Sequence, residues 1–546
     1  MKKIKFSILI AVGVLMTLSM SSCTNDLNVT PLQTSILSPG KAFSSDTAYT
    51  NFLAKVYAGF STTGIQAVDN NVDIQGIDGG SQASYVRALW NLQELPTEEA
   101  MCAWNDQTIQ NFHTFSWSSS DPFILGFYDR LYFQITIATS FLQQTTPAAL
   151  SANKVSSAMQ ATIKTYRAEA RFLRALAYYN VLDNFRNGPM VTDDSPIGSS
   201  AVPPYAKAPQ IYAYISSELR SCVNDMLPPV VGFGPTYGHA NQAAAWSLLA
   251  KLYLNANTYL GTSNTQYYDS CLTYCNKVIS AGYQLNPVYQ NNFVSDNYNS
   301  PEIIFPIVFD GTHAQSWGGM MFLMSSAVSG DIQSITASPG AWGGNRATKD
   351  FVAKFSNTAQ NENASLDSRA KMLYTGFNHP SIDDNSQFKQ GTPVLKYSEK
   401  NSQGVAPNPA PSFPDTDFPV FRLADIYLMY AEAVLRGGHG GDMQTALNYV
   451  NALRDRAEGG GFTDLEISAN QLTLPFILEE RSRELFWECT RRTDLVRYGL
   501  LTSPNYVWQW KGGVKSGVGA SSIYNIYPIP SSDLSANPNL IQNTGF

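Results

Sequence analysis

The sequence predicts a mostly α-helical protein whose helix pairs carry long, irregular loop insertions. In several segments apolar residues recur at three- and four-residue steps, the spacing of one buried helix face. Between them run stretches rich in Gly, Asn, Ser and Pro that lack this period. Of 546 residues only 14% are charged and 12% are aromatic, whereas an ordinary chain carries about 25% charged residues. Such a composition suits an extracellular surface that binds through rings and hydrogen bonds.

Taken in order, the first element is "MKKIKFSILIAVGVLMTLSMSSC". Lys2, Lys3 and Lys5 precede an apolar run from Phe6 to Met16, and small residues then lead to Cys23. This is the order of a secretory signal, with an apolar core too short for an ordinary membrane span. Ser21 and Ser22 before Cys23 resemble a bacterial lipobox, so residues 1–22 are expected to be removed and Cys23 to carry lipid. Residues 23–45, rich in Ser, Thr, Pro and Asn, read as a tether. Residues 46–546 read as a single domain, with insertions at about 59–120 and 285–415.

"TYRAEARFLRALAYYNVLDNF" (165–185) is a strong helix, with Phe172, Leu176, Tyr179 and Leu182 on one face and Gly188-Pro189 to stop it. "ANQAAAWSLLAKLYLNANTY" (240–259) places Trp246, Leu249, Ala250 and Tyr253 at the spacing of a tetratricopeptide helix, W-x2-L-G-x2-Y. "FRLADIYLMYAEAVLRGG" repeats part of that pattern with Leu423, Ala424 and Tyr427. Partner helices are expected downstream in "YYDSCLTYCNKVIS" and "MQTALNYVNALRDRA". The irregular spacing between pairs excludes a regular solenoid. Loops as long as the insertions are usually functional, and a helical scaffold puts its binding residues there.

Several function classes are excluded. The net charge of −7, with no Lys/Arg run after residue 5, is unsuited to nucleic acid. There is no Walker loop, dinucleotide-binding glycine pattern, H-E-x-x-H or G-x-S-x-G. Cys271 and Cys275 share a helix face without a nearby histidine, which makes them buried small hydrophobes rather than zinc ligands. No metal or cofactor is expected. A glycosidase needs only two placed carboxylates. Glu98 and Glu99 follow Thr97, however, and read as the acidic first turn of a helix capped by Thr97. Glu480, Glu484 and Glu488 stand at i,i+4 steps among Arg481, Arg483, Arg491 and Arg492, the pattern of an ion-pair network.

The 9 tryptophans favour binding over catalysis, because sugar rings present C–H faces that stack on indoles. Trp317 in "HAQSWGGMMF" and Trp342 in "SPGAWGGN" are each followed by Gly-Gly, which leaves no side-chain bulk beside the ring. Trp246 and Trp487 lie in helical patterns and are expected in the core, as is Trp90; Trp508 and Trp510 are ambiguous.

Four segments together resemble the SusD/RagB family of Bacteroidetes outer-membrane lipoproteins: "SSCTNDLNVTP", "NLQELPTEEA", "RAEARFLRALAYYNVLDNFRNGP" and "YPIPSSDLSANPNLIQNTGF". "FRLADIYLMYAEA" and "RRTDLVRYG" add to them. The resemblance implies tetratricopeptide-like helix pairs holding a loop-rich face that binds glycan without hydrolysis. It also implies a lid on a SusC-like TonB-dependent transporter, an outer-membrane location facing the cell exterior, and membrane attachment through the lipid alone. "TEEAMCAW" and "VWQWKGGVKSGVGASSIYNIYPIP" look closest to the family's starch binder. That likeness puts Trp104, Trp317 and Trp342 on an aromatic arc for an α-glucan, with Asp78 and Arg87 as polar partners. Trp317 stands for a tyrosine of the starch binder, and Gln107 for an asparagine. Another glycan such as a fructan or hemicellulose, a peptide ligand, and a glycoside hydrolase remain as alternatives.

Overall fold

The computed structural model describes residues 43, 45–64, 72–106, 108–198, 201–355, 366–460 and 464–546. The signal, Cys23, nearly all of the tether, and Gln107 lie outside the described residues. Helices dominate, as expected. Helix α1 (Asp46–Ser61) leads to α2 (Tyr85–Glu94), α3 (Pro122–Gln144) and α4 (Ser157–Phe185). Asp121 caps α3 by accepting from the Phe123 and Ile124 amides, and Pro122 occupies the first turn. Ser156 caps α4 by accepting from the Met159 amide. Helix α5 (Ala208–Cys222) packs on α4; α6 (Gln242–Leu254) packs on α7 (Gln266–Ile279).

Beyond the second insertion, which contains α8 (Met320–Ser326), α9 (Leu423–Leu435) packs on α10 (Met443–Glu458). Helices α11 (Leu474–Leu485) and α12 (Arg491–Arg497) follow. The expected pairings of α6 with α7 and α9 with α10 are present. The segment expected as one helix over 240–259 breaks at Asn255, whose Nδ2 donates to the Lys251 carbonyl and competes with the backbone ladder.

Short antiparallel pairs tie distant segments together. Strand β1 (Met101–Cys102) pairs with β3 (Asn345–Arg346), and β2 (Ile303–Ile307) with β4 (Phe418–Arg422). One apolar core runs from Leu53 to Ile529. Tyr527 donates to the Leu92 carbonyl at 2.7 Å and Asn543 to that of Phe185 at 2.8 Å, so the C-terminal segment clamps the ends of α2 and α4.

The first insertion is more helical than its sequence suggested. All ten residues of α2 are buried, including the polar stripe of Arg87, Asn91 and Glu94, so its polar face meets protein rather than water. Helix α8 is buried along its whole length as well, and its only polar residues are Ser325 and Ser326 at its end. The helix expected to start at Thr97 is absent. Helix α2 ends at Glu94, and Glu98 and Glu99 turn into the core. There Arg491 Nε donates to Glu98 Oε1 at 2.8 Å and Ser482 to Glu99 Oε1 at 2.6 Å. Partners almost four hundred residues away override the local capping pattern.

The Glu480–Glu488 row is a buried ion-pair network, larger than the row itself implied. Arg422 reaches Glu484 at 2.6 Å, Glu302 at 2.8 Å and Glu488 at 2.6 Å, and Arg369 reaches Glu480 at 2.8 Å and Glu484 at 2.9 Å. Cys271 and Cys275 are both buried, with sulfurs 3.9 Å apart, and Trp90 and Trp487 are fully buried. Trp508 is buried as well, and Trp510 donates its indole N–H to the Ile382 carbonyl at 2.7 Å. Trp246 is not a full core residue: it is half-buried against the helix pair, with the Lys277 ammonium 5.7 Å from its ring centre.

Candidate functional site

Helix α8 organises the site although it is only seven residues long, a rod of about 10 Å. Trp317 precedes its N-terminus by three residues. At the other end its last carbonyls lack helical partners. Ser325 O accepts from the Trp342 amide at 2.7 Å, and Ser326 O from that of Gly344 at 2.7 Å. One buried helix thus sets the spacing of two indoles that are distant in sequence. Trp104 is set beside them by the β1–β3 pair, by the Ala103 amide on Gly344 O at 2.8 Å, and by its own Nε1 on Trp342 O at 3.3 Å.

The three rings form one continuous surface. Trp104 and Trp342 have centroids 6.4 Å apart and planes at 49°; Trp342 and Trp317 are 6.3 Å apart at 39°. The planes turn by 49° and 39° from one ring to the next, so the row is not flat, and all three rings are half-buried. Phe413 braces the Trp317 end edge-on at 4.9 Å.

The Gly-Gly pairs have a different role from the one their sequence suggests. A Cβ on Gly344 would lie 2.3 Å from Trp104 Cε2, and one on Gly318 would lie 2.3 Å from Ser84 Cβ. Gly344 lets backbone approach the Trp104 ring, and Gly318 lets the Trp317 loop approach Ser84 at the start of α2.

Arg87 projects from α2 with its guanidinium carbon 5.5 Å from the Trp104 ring centre and 4.7 Å from that of Phe322. Its amide donates to Gly318 O at 2.9 Å, which couples α2 to the Trp317 loop. Nη2 lies 3.7 Å from exposed Asp106, and the buried Nε finds no acceptor among the described residues. Burial pulls the guanidinium below its ordinary value, with Cys102, Asp106 and Asp78 opposing. Asp78 is exposed and accepts from the Ser81 amide at 2.7 Å. It stands across Gly80 from Trp317: a Cβ on Gly80 would be 3.6 Å from Asp78 Oδ1 and 3.2 Å from Trp317 Cβ. The sequence-predicted residues Trp104, Trp317, Trp342, Asp78 and Arg87 therefore share one face, bordered by Asp106, Phe322 and Phe413, which sequence reasoning missed. No sequence period marks those three, because tertiary packing alone brings them there.

Glu98 and Glu99 lie elsewhere. Burial would raise the Glu98 carboxyl, but the charges of Arg491 and Lys354 outweigh it and hold the group at about 2. Burial pushes Glu99 up to about 7, with the Glu98 charge adding and Arg491 opposing. Such a divergence suits an acid/base pair, yet both residues are only 1% exposed. Among the described residues, no group of three or more His, Cys, Asp or Glu side chains is placed to hold a metal ion.

A helix-pair scaffold with a loop-borne aromatic face defines the class of protein. The comparisons with known proteins narrow it. A model described as the SusD family matches residues 334–546. The chain is 32% identical over 570 residues to the starch-binding protein SusD of Bacteroides thetaiotaomicron, covering 96% of each chain. It is 23% identical over 421 residues to a SusD-like protein of Bacteroides ovatus, covering 73% of this chain and 71% of that one. In structure it matches a SusD superfamily protein from Parabacteroides distasonis with a TM-score of 0.69, at 21% identity, over 92% of this chain and 99% of that one. Surface glycan-binding protein A from Bacteroides fluxus gives 0.68, at 19% identity, over 92% and 100%. The chain belongs to the SusD family.

Proposed function

We propose that the protein captures a starch-type α-glucan or malto-oligosaccharide at the cell surface on the Trp104–Trp342–Trp317 row, and does not cleave it. The observation that carries this reading is the row itself, three half-buried indoles at 6.3–6.4 Å spacing with successive tilts. A flat glycan would need coplanar platforms, whereas rings tilted by 49° and 39° suit a glucan chain that winds. Arg87 and Asp78 flank the rings as hydroxyl partners, and the family resemblance adds Gln107, which lies outside the described residues. The 32% identity to a protein named for starch binding supports the choice of glucan.

Hydrolysis is disfavoured because Glu98 is held ionised and Glu99, although its carboxyl titrates where a general acid would, is sealed from solvent. Replacing Trp317 or Trp342 with Ala should abolish retention in starch-containing gels. One lost platform costs ~1–3 kcal/mol on the scale known for stacked bases, and ~1.4 kcal/mol is tenfold in affinity. Undiminished retention by the triple Trp→Ala protein would sink the row as the site. Reducing ends released from starch by the wild type, and lost in Glu98→Gln, would restore the hydrolase.

Delivery goes to a SusC-like TonB-dependent transporter in the outer membrane, with the protein held there by lipid on Cys23. Cys23→Ala should move the protein from the membrane fraction to the soluble one. The wild type should co-purify with the transporter after mild detergent extraction. Unchanged partitioning, or a free monomer under those conditions, argues against the respective half of this reading.

A further inference from the structure

A second aromatic cluster stands outside the row. "VVGFGPTYGH" places Phe233 between two glycines, and Phe233 is the most exposed large apolar side chain among the described residues, at 68%. Its ring lies 5.2 Å from Tyr298 and 5.9 Å from Tyr237, and those two are 6.3 Å apart. All three rings touch one another, so they form a compact triangle rather than a row. Phe233 packs against too little to be there for stability, since most of its surface remains in water.

The cluster is tied to the row through one carboxylate. Asp417 accepts from the Tyr237 hydroxyl and, at 2.9 Å, from the Phe309 amide. Phe309 begins the loop that ends at Trp317. The segment that carries Asp417 also carries Phe413, whose ring meets Trp317 edge-on at 4.9 Å, so a contact of the row and a contact of the cluster lie four positions apart in the chain. A cleft of about 380 Å³ opens beside Tyr237, walled mainly by Leu53, Tyr57 and Phe60 of α1. A glucan chain that extends past the Trp317 end toward Asp417 meets three more rings, with the Tyr298 hydroxyl and exposed Asn299 beside them.

We propose that Phe233, Tyr237 and Tyr298 form a second carbohydrate contact, occupied by the part of a long glucan that extends beyond the tryptophan row. This rests on the glucan-binding reading above. It predicts a dependence on chain length, because a short oligosaccharide fills the row alone and a polymer engages both clusters and gains from their linkage.

The test compares soluble starch with maltotriose, using Phe233→Ala and Tyr298→Ala in the full chain. Both rings are exposed, so unfolding midpoints should stay at the wild-type value. Retention in starch gels should fall roughly tenfold, the loss of one stacked ring, while maltotriose affinity by calorimetry stays unchanged. Wild-type retention of both variants on starch overturns the proposal; if the transporter also ceases to co-purify, the rings serve a protein contact instead. Equal losses for starch and maltotriose overturn it as well, because the rings would then act through the row. A wild type that binds neither glucan refutes the glucan reading itself and this contact with it.

Discussion

Around Glu484 three arginines, Arg369, Arg422 and Arg456, meet one carboxylate and none reaches water. Around Trp342 two further indoles gather at 6.3–6.4 Å, and each is only half-buried. The first region is chemically potent and closed; the second is chemically inert and open. Glutamates and arginines would be the natural tools of catalysis, but here they hold helices together. Indoles would be the natural filling of a core, but these three sit on loops. Residue type alone therefore misleads in both directions, and access decides. The two regions should accordingly fail in different ways, and three perturbations separate them.

The largest effect is expected from Arg422→Met. Arg422 donates to Glu302, Glu484 and Glu488 and to the Glu484 carbonyl at 2.7 Å, so its removal leaves carboxylates buried with fewer counter-charges. Breaking a buried pair costs ~3–5 kcal/mol. The urea midpoint should fall accordingly, while the protein that remains folded binds starch as before. An unchanged midpoint would mean that the network contributes nothing to stability, and the contrast between the regions would collapse.

Acid should reproduce part of that loss. For Glu98, burial is outweighed by Arg491 and Lys354, and for Asp494 by Arg481 and Arg497; both carboxyls are held at about 2. Glu480 and Glu484 are also held below the ordinary range, where burial is outweighed by their arginines. A depressed carboxyl favours the folded state while it is ionised. That contribution is complete above the ordinary carboxyl range, near pH 4–5, and disappears as pH falls through the folded values near 2. One such group contributes on the order of 2–3 kcal/mol. Urea midpoints measured downward from pH 5 should therefore drop steeply, with starch retention tracking the folded fraction if the indoles carry the binding, because indole rings do not titrate. Retention lost while the midpoint holds would show that the Asp78 carboxylate carries binding together with the rings.

The helix pairs were legible in the sequence, because their signal, a 3.6-residue period, is local; Gly-Gly marked Trp317 and Trp342 for a reason the structure does not share, since the glycines serve close packing. Helix α2 was not legible in this way, although Arg87, Asn91 and Glu94 form a polar stripe along it, because it is only ten residues long and lies inside a segment otherwise rich in Gly, Asn and Ser. Glu98 and Glu99 were misread because Thr97-Glu-Glu is a valid helix start by local chemistry, and only Arg491 and Ser482, far along the chain, turn it inward. The family resemblance runs through the same buried residues. In "NLQELPTEEA", Gln93 accepts from the Thr493 amide at 3.2 Å and Glu94 from that of Cys489 at 2.7 Å. What identifies the fold is thus its internal wiring. Phe233 lies between two glycines, whereas Trp317 and Trp342 are each followed by a glycine pair, and no local pattern marks it as exposed.

The smallest expected effect, and the one that best isolates the row, is that of Gly344→Ala. The backbone at Gly344 needs no left-handed conformation, and its amide can still donate to Ser326 O. What the added methyl meets is Trp104, at 2.3 Å from Cε2 and 2.5 Å from Cζ2. The indole must tilt away, and its Nε1 bond to Trp342 O at 3.3 Å goes with it. A half-buried loop ring contributes little to the core, so the urea midpoint should move by less than ~1 kcal/mol. Starch retention should weaken about three- to tenfold, a fraction of one stacked platform. The mechanism makes a stricter demand as well. If the methyl acts only by displacing Trp104, Gly344→Ala combined with Trp104→Ala should bind no worse than Trp104→Ala alone, because contacting sites are non-additive. Additive losses in that double variant would show that Gly344 acts through Trp342 or the helix α8 end, and the three rings would no longer count as one jointly positioned surface.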